Sequence, residues 1–354
     1  MSEFENQAKE ADGQPKGFHF RSAGELCIKP SPTQWLIKYY LEAGTLACLF
    51  GEPGAMKSFS AIDMGLCAAC RINWHEIPVR ISGPVFYIAG EGHEGLKRRT
   101  RAWSIHHGIE LEGVPFFISD RPARFLDASG AAEVAQAVED LVLQHGAPAL
   151  IIIDTLNRNF GPGDENKTED MTRFVSIIDE TLRCRYLCTI LIIHHSGLTE
   201  KERARGASAL RAALDWEYRM TKNADGTRIL TCTKSKDHEE PPALAFMPEV
   251  ILLEGWVDED GETMTSCVLV KTEAKADMKP LTGSKKIAYD VLVNLGGSVH
   301  VDMWRDAAYS AGISPTSSKD SKQKAFRRAV LDLTEAGYVE TQDDLYWPKE
   351  RNRT

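Results

Sequence analysis

The sequence has no apolar run approaching the roughly 18 residues that a membrane crossing needs. Its longest, ALIIIDTL from Ala149 to Leu156, is interrupted by Asp154. A signal peptide is also missing: the first 17 residues, MSEFENQAKEADGQPKG, are polar and acid-rich, without a basic start or an apolar stretch. They read as a loose tail on a cytoplasmic protein. The eight cysteines form no disulfide framework, because each lies inside an apolar segment, as thiols do in a reducing compartment. Cys67-Ala-Ala-Cys70 has redox spacing, but that chemistry needs a helix N-terminus, and this pair falls late in a helix that starts at Lys57. Core positions at helical spacing explain it. No internal repeat or low-complexity segment is present, which excludes a solenoid.

An overall basic excess is missing too. Lys and Arg number 42 against 51 Asp and Glu, a net charge of -9, which excludes a protein that simply coats nucleic acid. The imbalance is uneven: residues 281–354 hold 11 basic and 10 acidic side chains, so the rest carries the deficit. Any nucleic-acid surface is therefore local.

What is present is an ordinary globular composition, 43% hydrophobic and 26% charged over 354 residues, enough for one large α/β domain and a small second one. The middle of the chain alternates LACLF, VFYIA, LIIID and CTILIIHH with helical stretches such as GLKRRTRAWSIHH and TRFVSIIDETLR. Apolar strands alternating with helices predict a mainly parallel sheet covered on both faces. Beyond about residue 215, WEYRMTKN, TRILTCTKSK and PALAFMPEVILLEG read as antiparallel strands extending that sheet. The expected organisation is a tail over 1–17, the α/β domain over 18–272, a linker over 273–284 and a winged helix over 285–354. The last is read from three helical segments closed by the hairpin YVETQDDLYW.

The chemistry starts at LACLFGEPGAMKSFS, which supplies strand, glycine-bearing loop and helix in the order of a phosphate-binding loop. Gly51, Glu52, Pro53, Gly54, Ala55, Met56, Lys57, Ser58 and Phe59 are the expected ATP contacts. Main-chain N–H groups would cradle the phosphates, Lys57 would pair with the β- and γ-phosphates, and Ser58 would ligate Mg²⁺. Met56 stands where the pattern has its last glycine. Its backbone is expected to take an angle that a Cβ tolerates, with the side chain leaning away from a cradle built of main chain. Asp154 and Glu91 each end an apolar strand, where α/β sheets bind ligands. Asp154 would hold the Mg²⁺ shell, and Glu91 would orient and deprotonate the attacking water. A third strand ends in His194-His195.

GEPGAMKS, YIAGEG, LIIIDTL and LIIHHSG, in that order, resemble the RecA-like P-loop ATPases of the RepA-type hexameric replicative helicase family over roughly residues 30–255. The resemblance implies that Glu91 is the catalytic base, Asp154 the Mg²⁺-associated aspartate and His195 the γ-phosphate sensor. It also implies that Lys234 and Lys236, alternating along TKSK, reach a neighbouring subunit's γ-phosphate; a solvated strand edge explains the same lysines. Two loops, Asn157 to Met171 and Ser196 to Ser208, would face the centre of a homo-hexamer, the second offering Lys201, Arg203 and Arg205 to single-stranded DNA. In the C-terminal unit, Lys324, Arg327 and Arg328 share a helix stripe that suits DNA or a protein partner. The function implied is a DNA-translocating helicase of plasmid or phage replication, working with a replication-initiation or primase partner. A nucleotide-gated DNA-binding loader, regulator or recombination accessory is the alternative.

Overall fold

The computed structural model describes residues 20–28, 32–197, 208–273, 281–314, 316, 318–335 and 338–348. After a two-stranded ribbon of β1 (Trp35–Ile37) and β2 (Leu41–Glu42), the chain builds one nine-stranded sheet. Its strands are β3 (Leu46–Gly51), β4 (Val85–Ala89), β5 (Phe116–Ile118), β6 (Leu150–Asp154), β7 (Thr189–His195), β8 (Trp216–Lys222), β9 (Arg228–Ser235), β10 (Leu244–Val257) and β11 (Thr263–Thr272). They lie in the order β11-β10-β9-β8-β3-β7-β6-β4-β5.

Strands β3 to β8 pair in parallel and β9 to β11 antiparallel, so the mainly parallel α/β sheet is as expected. One detail is corrected: β8, expected as the first antiparallel strand, runs parallel to β3. The reason is the connection, since helix Ser208–Ala213 stands between β7 and β8 and returns the chain to the same end of the sheet.

Side-chain alternation divides the core into two layers. Ala47, Leu49, Val85, Tyr87, Leu150 and Ile152 face α1 (Lys57–Cys70) and α2 (His93–His107). Leu46, Cys48, Phe50, Phe86, Ile88, Ile151 and Ile153 face the other side, under α3 (Ala128–His145), α4 (Leu156–Phe160), α5 (Thr168–Ile178) and α6 (Ser208–Ala213). Cys67 is buried within α1, and burial pushes its thiol and that of Cys70 upward, which suits core packing and not redox work.

A separate core of Leu292, Trp304, Phe326 and Leu333 closes the C-terminal unit. Around it stand α7 (Gly283–Leu295), α8 (Val301–Ser310) and α9 (Lys319–Glu335), with the sheet β12 (Val299–His300), β14 (Leu345–Pro348) and β13 (Val339–Gln342). The helix order is that anticipated, and β12 adds a third strand to the hairpin. Helix α7 already includes Gly283 and Ser284, two positions assigned to the linker, and 274–280 lie outside the described residues.

The phosphate-loop helix is tied to the rest of its layer by Asp63, 6% exposed. Its carboxylate accepts the indole N–H of Trp74 and of Trp103, each at 2.8 Å, and meets His75 Nε2 at 2.7 Å. Burial alone would raise this carboxyl, but His75, Trp103 and Trp74 together hold it below the ordinary range. Asp63→Asn presents an amide N–H₂ to these donors and should cost about 3 kcal/mol in urea unfolding. Because the folded pKa is depressed, the carboxylate's contribution is complete above the unfolded value of about pH 4 and disappears as pH falls through the lower folded value. Wild-type melting temperature should therefore drop more steeply than that of Asp63→Asn across that acid window.

Candidate active site

Strand β3 ends at Gly51, where a Cβ would stand 2.2 Å from the Met220 carbonyl oxygen of β8, so only glycine fits. The loop turns through Gly54 at φ +76° and Met56 at φ +70°, ψ +29°, and α1 begins at Lys57. The expectation for Met56 is thus corrected. The loop keeps the left-handed conformation that a glycine would hold, and methionine occupies it at a strain of roughly 1 kcal/mol. Its half-buried side chain packs against the main core, which offsets that cost. Ala55 is buried, Phe59 is half-buried under the Arg99 guanidinium, and Glu52, Pro53 and Gly54 are exposed.

The first N–H groups of α1, on Lys57, Ser58 and Phe59, have no acceptor within the helix and carry its positive dipole end. Lys57 is 6% exposed, and its ammonium donates to the carbonyls of Gly51 (2.9 Å) and Glu52 (3.0 Å). Burial lowers its pKa, while the nearby Asp154 charge raises it. A buried ammonium, open helical N–H groups and a hydroxyl at Ser58 form a donor set that fits a nucleotide triphosphate with Mg²⁺.

Parallel register brings the remaining groups to the same edge. Gly51 is level with His195 across β3 and β7, Ile193 with Asp154 across β7 and β6, and Asp154 with Ala89 across β6 and β4. Asp154 is 7% exposed and accepts the hydroxyl of Tyr87, which is buried beside Ser58. Burial first, then the Asp154 charge, pushes the Tyr87 phenol far up, so it remains a proton donor. Glu91 lies just past β4 and is half exposed, with Oε2 at 2.7 Å from Nε of Arg158 on α4.

His195 is displaced downward in pKa by burial and by Lys57, with Asp154, Glu91 and Glu165 opposing, so it is neutral at pH 7. Its buried Nδ1 has no hydrogen-bond partner among the described residues. His194 is fully buried. Glu165, 5% exposed in the loop after α4, accepts the Asn157 amide at 3.2 Å.

The two β9 lysines differ. Lys234 Nζ donates to the carbonyls of Arg211 (2.6 Å) and Leu214 (2.5 Å) and, at 3.4 Å, Ala212, closing the C-terminal end of α6. Lys236 lies one residue beyond β9, 61% exposed, with its ammonium 3.3 Å from Asp215 Oδ1 and its backbone N–H donating to the Asp215 carbonyl at 3.1 Å. Lys201, Arg203 and Arg205 fall outside the described residues. Lys324, Arg327 and Arg328 are exposed on α9, Lys324 pairing with Asp320 at 2.9 Å.

Sequence reasoning missed Tyr87, Arg158 and Glu165. Tyr87 had a signal, a phenol inside the buried run VFYIA whose hydroxyl required a partner. Arg158 and Glu165 reach the site by chain folding after Asp154 and left no spacing to read.

A phosphate loop, an acidic strand end with one strand between, and a second acid just past the next strand define a RecA-like P-loop ATPase fold. Residues 15–201 match the AAA domain family, and the chain belongs to that family. No curated protein matches the sequence. Among solved structures, the RadB recombinase aligns at a TM-score of 0.43 and 16% identity, over 58% of this chain and 87% of its own.

Met56→Gly removes both the left-handed strain and the side-chain packing. The two effects oppose, so chemical unfolding should show a change within about 1 kcal/mol, and ATP affinity by calorimetry should stay within about fivefold. A gain beyond about tenfold would mean that methionine attenuates the loop.

Proposed function

We propose that the protein hydrolyses ATP as a ring-forming, RepA-type DNA helicase that translocates on single-stranded DNA in plasmid or phage replication. The observation that carries this reading is the parallel register of β3, β7, β6 and β4, whose carboxyl ends bring Lys57, His195, Asp154 and Glu91 to one edge of the sheet. Bound ATP with Mg²⁺ supplies the γ-phosphoryl group and the metal's charge neutralisation. In the reaction, Lys57 exchanges two neutral carbonyl contacts for charge-assisted ones to phosphate. Ser58 and Asp154 would hold the metal, and Tyr87 fixes the orientation of Asp154. Glu91 takes the proton of the attacking water as the new P–O bond forms and the bond to the ADP oxygen breaks. The neutral His195, whose Nδ1 has no hydrogen-bond partner among the described residues, contacts the γ-phosphate.

Between neighbouring subunits of a homo-hexamer, Lys236 is the better candidate for the trans-acting cation, because Lys234 is already held by carbonyls. Lys201, Arg203 and Arg205 would track the DNA strand. The C-terminal unit serves as a winged helix, with Lys324, Arg327 and Arg328 toward DNA or toward a replication-initiation or primase partner.

Steady-state ATPase with and without single-stranded DNA, with light scattering on the same sample, tests the reading. A stimulated hexamer that unwinds a forked duplex is expected. A DNA-indifferent monomer overturns the proposal, and a stimulated ring without unwinding favours the loader alternative. Glu91→Gln should retain ATP affinity and lose at least about 100-fold in turnover. Mixing Lys236→Ala with Lys57→Ala protein should restore activity above the sum of the two, at interfaces that combine an intact loop with an intact lysine. Proven subunit exchange without recovery rules out a trans role for Lys236.

A further inference from the structure

The guanidinium of Arg158 stands 2.7 Å from Glu91, and the backbone puts it there. Gly90 N–H donates to the Asp154 carbonyl at 2.6 Å, and a Cβ on Gly90 would lie 2.3 Å from the Cβ of Arg158. Helix α4 is thus pressed onto the turn that carries Glu91. Asn159, fully buried, locks it in place by accepting the Ala123 N–H at 2.9 Å and donating to the Thr155 carbonyl at 3.0 Å. From the same helix, the Asn157 amide donates to Glu165 in the following loop, whose charge acts on His195.

We propose that Arg158 is a positioning residue that holds Glu91 in a resting orientation, and that backbone phosphates of single-stranded DNA compete for its guanidinium and release the glutamate. The inference rests on the reading of Glu91 as the base of ATP hydrolysis. A carboxylate oxygen engaged by a guanidinium is turned from the water it must deprotonate. Both side chains are more than half exposed, at 59% and 54%, so the pair is weak and a phosphate can displace it. That exposure also bounds the restraint to about fivefold in rate. Arg158 is itself accessible to the competing anion, unlike the buried Lys57.

The test is ATP turnover of the full chain at saturating ATP, with and without oligothymidylate, for wild type, Arg158→Ala and Arg158→Lys. Arg158→Ala should raise kcat without DNA by about two- to fivefold, leave KM unchanged, and shrink the DNA stimulation by the same factor. Added salt should raise the DNA-free kcat of wild type, by screening the pair, and not that of Arg158→Ala. Arg158→Lys, which keeps the charge, should return toward the wild-type rate. Arg158→Gln serves the same comparison if the alanine variant melts early. A DNA-free kcat that is unchanged or lowered in Arg158→Ala, with Glu91-dependent turnover intact in wild type, overturns this inference alone. Absence of Glu91-dependent turnover in wild type overturns it together with the reading beneath it.

Discussion

The parallel register of four central strands is the constraint on which the site depends. Parallel hydrogen bonding fixes Gly51 opposite His195, and Asp154 opposite both Ile193 and Ala89. A slip of one residue in any pair would turn its side chains to the opposite face of the sheet. Burial prevents such a slip, because both faces of these strands are packed, Leu46, Cys48 and Phe50 on one side and Ala47 and Leu49 on the other. The chemistry at the edge is positioned by hydrophobic alternation deep in the sheet.

Two costs sit within the loop itself. Met56 holds a left-handed backbone, and Lys57 is an ammonium in a nearly closed environment. Each has a local compensation: the methionine side chain packs on the core, and the ammonium takes two carbonyls and the field of Asp154. The loop's own residues therefore support its shape.

Much of this was legible in the sequence, for a physical reason. Runs such as LIIID and TILIIHH, apolar on both faces, are diagnostic of central parallel strands, and the residue that ends each run falls at the sheet edge. Asp154, Glu91 and His195 were singled out that way as candidates. The helix Ala128–His145 left a weaker signal, since it fully buries only Val138. The direction of β8 depended on a connection and not on the strand's own residues. The αL geometry of Met56 was hidden because its side chain suggested a conformation that the surrounding loop overrides. The distinction between Lys234 and Lys236 required the position of the α6 carbonyls, which no spacing in TKSK encodes.

Asp63 has a consequence for motion. It lies on the helix that opens with Lys57, and it binds Trp103 of the helix that follows Glu91. One buried carboxylate thereby welds the phosphate-gripping helix to the one behind the glutamate, so those two groups travel as a single block. Helix α4 is fixed separately, through the backbone contact at Gly90, the buried Asn159 and the ion pair to Glu91. In engineering terms, Asp63 makes the chassis, and the segment after Asp154 is a part bolted to it.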